Sequence, residues 1–169
     1  RNSPNLGKGQ SLNKGIAASG GDILLLLDAD LGATASEASV LLLPLIIGGA
    51  DMSIATFPVI PGKGGGMGFV VRLARDGIRE MTGREMQAPL SGQRAIRQSV
   101  LEKIGPIAAG FSAETALTID ALRAGFNVVE VPTNMTHRVT GRSLKSYLHR
   151  FKQYVAVRKA LTDRRKTPS

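Results

Sequence analysis

The sequence predicts an α/β fold whose sheet includes some parallel pairing. Two observations carry this: short apolar runs alternate with stretches of helical periodicity, and one of the runs, ILLLL at 23–27, ends directly in Asp28-Ala29-Asp30. A continuous apolar run of that length is the pattern of a strand buried on both faces. Alternation of strand and helix patterns is the signature of an α/β sheet.

Taken in order, residues 11–19 read as a short helix opened by Ser11 and stopped by Gly20-Gly21. After the strand at 23–27, a helical pattern covers 34–47, interrupted by Pro44 and closed by Gly48-Gly49, and 51–57 reads as the next strand. The stretch PVIPGKGGGMG at 58–68 holds too much glycine for regular structure and reads as a flexible loop. A helical face formed by Val70, Leu73, Ala74, Gly77 and Ile78 places a helix over 69–81, ended by Gly83. A short strand at 93–97 and a brief helix at 99–104 follow. Residues 113–124 give the clearest helix, with Gly125 as its stop, and 127–131 is another strand. The last helix, 143–161, sets Leu144, Leu148, Phe151, Tyr154, Val155 and Val157 on one side and cations on the rest.

The 169 residues, 43% of them hydrophobic, can bury one sizeable core. Cysteine is absent, which excludes disulfides and thiolate metal sites and leaves oxygen and imidazole as the only metal donors. The longest apolar runs fall well short of the roughly 20 residues that span a bilayer, and no signal-peptide pattern is visible, so a cytoplasmic location is expected. The net charge of +9 is unevenly placed: residues 1–137 carry 12 Lys or Arg against 12 Asp or Glu, and residues 138–169 carry 10 against Asp163 alone. A neutral body with a basic terminal helix points to a local contact with phosphate, the inner face of a membrane, or a second copy of the chain. Only seven Phe and Tyr and no Trp are available for base stacking, and a nucleic-acid partner is not expected.

Ligands in α/β sheets bind beyond the carboxyl ends of the strands, which is where Asp28 and Asp30 fall. Two carboxylates so close repel unless a cation offsets them, and their oxygens suit Mg²⁺ or Mn²⁺ on a nucleotide diphosphate. The plainer reading is a strand-end turn in which one aspartate caps the next helix. Gly7-Lys8-Gly9 offers amides and an ammonium to phosphate, yet it is no P-loop, since Gly9 stands where Ser or Thr is required. His137, with Arg138 and Arg142 nearby, offers an imidazole metal ligand and two diphosphate-binding cations. Glu114 opens a helix after Gly110-Phe111, where it could serve as a cap, contact a sugar, or act as a base.

In order, the segments GKGQSLNKGIAASGGDILLLLDADL, GKGGGMG, APLSGQRAIR, GFSAETALTIDALRAGFNVVEVP and THRVTGRS resemble family 2 glycosyltransferases, and the likeness covers nearly the whole chain. It is similar to both the polyprenyl-phosphate sugar transferases and the bacterial glucosyl-3-phosphoglycerate synthases. The resemblance implies a GT-A fold, the Rossmann-like three-layer α/β/α sandwich of nucleotide-diphospho-sugar transferases. It also implies that the first nucleotide-binding strands precede Arg1. Residues 1–142 would then form a partial catalytic domain and 143–169 a basic amphipathic helix and tail.

The resemblance further implies that Asp28 and Asp30 are the DxD pair, with Asp30 the direct metal ligand, and that His137 completes the metal site. Lys8 matches a donor-site lysine. Leu90, Ser91 and Gly92 match a Pro-Leu-Ala-Gly segment beside the donor sugar, with Ser91 in place of alanine, and Glu114 matches a glutamate that contacts the transferred sugar. The expected function is metal-dependent transfer of a hexose from a nucleotide sugar, with a UDP-sugar such as UDP-glucose favoured over a GDP-sugar, to an acceptor hydroxyl or phosphate. The alternatives are a sugar-phosphate nucleotidyltransferase and a non-catalytic module that binds anionic surfaces.

Overall fold

A computed structural model describes residues 7–58, 68–108, 112–136 and 144–165, with side chains of the last helix from Tyr154 onward. Of the expected loop at 58–68 only Pro58 and Gly68 belong to this set, and His137, Arg138 and Arg142 lie outside it entirely.

The chain begins with α1 (Lys8–Ala17) and β1 (Ile23–Leu26). A 3-10 helix (Gly32–Leu41), a single helical turn α2 (Leu43–Ile46), and β2 (Met52–Thr56) follow. The next elements are α3 (Gly68–Thr82), β3 (Arg94–Arg97), α4 (Gln98–Ile104), α5 (Ala113–Arg123), β4 (Val128–Pro132) and α6 (Leu144–Arg165). Every element expected from the sequence is present, and the differences have local causes. α1 starts three residues early because Gly7, at φ 78°, turns the chain into the helix with no side-chain cap. The stretch 34–47 splits because Pro44 has no N–H to continue a helix and is accepted only in the first turn of a new one.

The sheet order is β1-β3-β2-β4. β2 and β4 are parallel, whereas β3 runs antiparallel to both of its neighbours, β1 and β2. This corrects the expectation for β1: Leu25 and Leu27 are each 38% exposed, so this apolar run is not covered on both faces by the described elements.

The two-residue period of the strands sorts side chains between two cores. Met52, Ile54 and Ile96 face α3, α4 and α5, joined by Ile78, Val100, Leu117 and Ile119. Ala55 and Ala95 face the 3-10 helix and α2, joined by Leu31, Leu41, Leu45 and Met135. Helices on both faces of one sheet make a three-layer sandwich, and each buried Ile, Leu or Met contributes about 1.5–3 kcal/mol. Ser53 lies on the second face, where its hydroxyl donates to the Leu41 carbonyl at 2.6 Å and so satisfies a wholly buried polar group.

α6 packs on α3 and α5 through Val157, Ala160 and Leu161, all buried. Val155 departs from the expected apolar face and is 48% exposed. Two of the helix's cations are taken up by the body, Arg164 by Asp120 and Arg165 by Glu80. No helix among the described residues is long and apolar enough to cross a membrane.

The close approach of α6 depends on Gly77. A Cβ built there would lie 2.4 Å from Leu161 Cδ2 and 2.6 Å from its Cδ1. Gly77→Val is therefore expected to lower stability by about 1–3 kcal/mol in urea unfolding through overpacking. Adding Leu161→Ala to that variant should return part of the loss, as expected of two side chains competing for one space.

Candidate functional site

Three element ends converge beside β1. Lys8 is the first residue of α1, Asp28 lies two residues past β1, and Glu114 is in the first turn of α5. The Lys8 ammonium donates to Asp28 Oδ1 at 2.8 Å and pairs with Glu114 Oε1 at 2.6 Å. Asp28 Oδ2 accepts from Gln93 Nε2 at 3.0 Å. Lys8 and Asp28 keep about a third of their side-chain surface open to solvent, whereas Glu114 keeps 11%.

Burial alone would lower the Lys8 ammonium, but the attraction of Glu114 and the hydrogen bond to Asp28 raise it above its ordinary 10.5. The repulsion foreseen between the aspartates is thus relieved at Asp28 by a lysine from another element. Asp30 lies farther out, exposed in the turn after β1.

Gly92 forms the wall of this cluster. A Cβ on it would stand 2.6 Å from Asp28 Oδ2 and 2.9 Å from Lys8 Nζ, closer than real contacts permit. A side chain at this position would force the Asp28 and Lys8 tips to move. Leu90 and Ser91 precede it, half-buried and buried respectively. The structure therefore brings together Lys8, Asp28, Gly92 and Glu114.

The irregular backbone leading to Gly92 is tied down by side chains. Glu130 of β4 accepts the amides of Gln87 and Ala88 at 2.6–2.9 Å, and Arg75 of α3 donates to the carbonyls of Met86 and Gln87 at 2.8 and 3.0 Å. Beyond Gly92, Arg94 is buried to 1% exposure beneath the cluster. Its Nε donates to the Ser91 carbonyl at 2.8 Å and its Nη1 to Thr118 Oγ1 at 2.9 Å. Burial pushes its guanidinium down to about 10, against the attraction of Glu114 and Glu130, so it remains charged at neutral pH.

Gln93 and Arg94 are site residues that the sequence reading passed over. Their signal was two large polar side chains entering a strand whose next residues, Ala95 and Ile96, are apolar. Such residues need partners when buried.

A surface hollow of about 400 Å³ lies elsewhere, between α1 and α4, and contains neither aspartate. Among the described residues no three His, Cys, Asp or Glu side chains gather as a metal cluster. Asp28 and Asp30 are nevertheless hard oxygen donors at one strand end, which fits Mg²⁺ or Mn²⁺, since such ions commonly bind one or two carboxylates together with substrate phosphates.

The mixed sheet with helices on both faces is that of the GT-A class of glycosyltransferases, a fold its structural neighbours share. The profile of glycosyl transferase family 2 matches residues 1–105. The chain belongs to that family. It is 34% identical over 134 residues to polyprenol monophosphomannose synthase of Mycolicibacterium smegmatis, covering 75% of this chain and 50% of the relative. Among solved structures it is similar to glucosyl-3-phosphoglycerate synthase of Mycobacterium tuberculosis in complex with Mn²⁺, UDP and phosphoglyceric acid. That match has a TM-score of 0.75 and 27% identity, over 96% of this chain and 55% of that one. The same synthase with Mg²⁺ and UDP gives a TM-score of 0.74 at 26% identity, over 96% of this chain and 56% of that one. The chain spans about half the length of these relatives.

The raised Lys8 pKa fixes a sign. A cation stabilised by folding contributes stability that is fully present below its unfolded value, near 10.5, and lost as pH rises through the higher folded value. Urea unfolding between pH 9 and 12 should show the parent losing stability in the upper part of this range, and Lys8→Met should flatten that fall. An unchanged slope in Lys8→Met would place the titration on another group.

Proposed function

We propose that the chain carries the sugar-transfer site of a glycosyltransferase that takes a nucleotide-diphospho-sugar and passes the sugar to an acceptor hydroxyl or phosphate. The observation that carries this reading is the Lys8 ammonium held between Asp28 and Glu114 against the bare Cα of Gly92. A cation flanked by carboxylates beyond a strand end can receive a diphosphate on one side and a sugar on the other.

In this reading Asp30, joined by Asp28 and by His137 from outside the described residues, holds Mg²⁺ or Mn²⁺. Asp30 is assigned as the main ligand, and Asp28, whose oxygens accept from Lys8 and Gln93, stands beside it. The bound ion would act as a Lewis acid on the leaving diphosphate. Lys8 shares in neutralising that diphosphate, and Arg138 and Arg142 are assigned to it as well. Leu90, Ser91 and Gly92 line the sugar's side. Glu114, nearly closed to solvent and paired with Lys8, either receives a sugar hydroxyl or takes the acceptor's proton.

UDP is favoured over GDP because the solved synthase complexes carry UDP with Mn²⁺ or Mg²⁺. The acceptor is assigned only by class, since the two kinds of relative carry different names for their products. The engagement of Arg164 and Arg165 by the body supports an architectural part for α6 over a membrane contact.

Calorimetric titration with UDP and with GDP, with and without Mn²⁺, tests the reading in this chain and in the full-length protein. Binding of UDP that needs Mn²⁺ and falls at least about tenfold in Asp30→Ala is expected, a loss of about 1.4 kcal/mol or more. UDP binding that ignores both the metal and the substitution would contradict it. Release of UDP rather than pyrophosphate on turnover separates sugar transfer from nucleotidyl transfer.

A further inference from the structure

We propose that Arg94 is a positioning residue for the transfer step: its buried fork sets the spacing between the Leu90–Gly92 segment and the Glu114 carboxylate. The inference rests on the donor-site reading above and adds a residue to it.

Three observations lead to Arg94. First, its side chain joins two pieces of the site that come from distant parts of the chain. Nε holds the Ser91 carbonyl at 2.8 Å, and Nη1 holds Thr118 Oγ1 at 2.9 Å. Thr118 in turn donates to the Glu114 carbonyl at 2.9 Å, so the link ends on the residue whose carboxylate meets Lys8. Second, β3 pairs Arg94 with Leu26, the last residue of β1, only two positions before Asp28. One residue thus ties together three segments that converge on the site, two by its side chain and the third by strand pairing. Third, the arrangement is not one that stability requires. The side chain is 1% exposed, and its Nη2 has no hydrogen-bond partner among the described residues. Its cross-strand partners on that face are Leu26 and Ile54, with Ile96 next along β3, so an apolar residue would suit the core at lower desolvation cost.

Fork geometry gives the idea a sharp consequence. Arginine presents donors in a rigid plane and can hold two acceptors at a fixed separation, whereas a lysine ammonium is a single flexible point charge. If only the charge beneath Glu114 mattered, lysine would serve. If the spacing matters, it would not. Misplacement of a sugar by about 1 Å can cost about 10²-fold in rate.

The test compares Arg94→Lys and Arg94→Met with the parent in the full-length protein. UDP affinity with Mn²⁺, kcat and KM for UDP release from UDP-glucose, melting temperature, and amide exchange are measured for each. Both variants are expected to lose about 10²-fold in kcat, with KM and UDP affinity within about threefold because Lys8, Asp28 and Asp30 are untouched. Methionine, which removes a buried charge, should melt within about 5 °C of the parent. Exchange should rise over residues 88–93 and 112–118 and stay level in β2 and β4.

Recovery of kcat by Arg94→Lys to within about threefold of the parent would overturn the fork. So would a kcat loss in Arg94→Met that only follows a fall in melting temperature. A parent that neither binds UDP with Mn²⁺ nor releases it from UDP-glucose sinks the donor-site reading, and the part assigned to Arg94 in transfer falls with it. The exchange data then judge the linkage by itself: a rise confined to the two segments supports it, and no rise refutes it.

Discussion

The site depends on one charged contact: the Lys8 ammonium between Asp28 and Glu114, pressed against a position where no Cβ fits. The Lys8–Asp28 part of it, about a third exposed on both sides, adds little to stability, because water already solvates those members. Its importance is geometric. Three chain segments meet there, the start of α1, the end of β1 and the start of α5, and each has its position set by a charge belonging to another. One lysine against two carboxylates leaves a formal excess of negative charge, which a divalent cation can offset before a diphosphate joins it.

The surroundings of that contact are held by side chains doing the work of secondary structure. Residues 84–92 form no helix or strand, so their backbone groups need other partners. Glu130 takes two amides and Arg75 two carbonyls, from a strand and a helix on either side. Arg94 takes the Ser91 carbonyl from below. An irregular segment restrained in this way can present Leu90, Ser91 and Gly92 in one arrangement while leaving their upper surface open, which a regular strand paired on both edges could not do.

Much of the fold was legible in the sequence because it rests on local signals: apolar runs, helical spacing, and the stops at Gly83 and Gly125, both of which adopt positive φ. Pairing direction was not legible. An ILLLL run carries no mark of its partner's direction, and β1 turned out to lie against an antiparallel β3, with Leu25 and Leu27 part-exposed. At the site, Lys8, Asp28, Gly92 and Glu114 could each be singled out, but not their mutual contacts. Those join residues 20 to 106 positions apart, and only the fold creates them. The partnership of Lys8 with Asp28 is the clearest case: the carboxylate pair was legible as a charge problem, but the cation that relieves it at Asp28 comes from the other end of the preceding helix. Gln93 and Arg94 were missed because a polar residue at a strand's start reads as solvent-facing until the layer above it is known.

The most direct test of this account is the metal-dependent UDP affinity of Gly92→Ala, measured beside its melting temperature. Alanine alters neither charge nor hydrogen-bonding capacity, but its methyl group claims the space held by Asp28 and Lys8. A fall in affinity of about tenfold or more, with a melting temperature within about 5 °C of the parent, is the result predicted. Parent-like affinity in a folded Gly92→Ala variant would show that UDP binding does not depend on the charged contact.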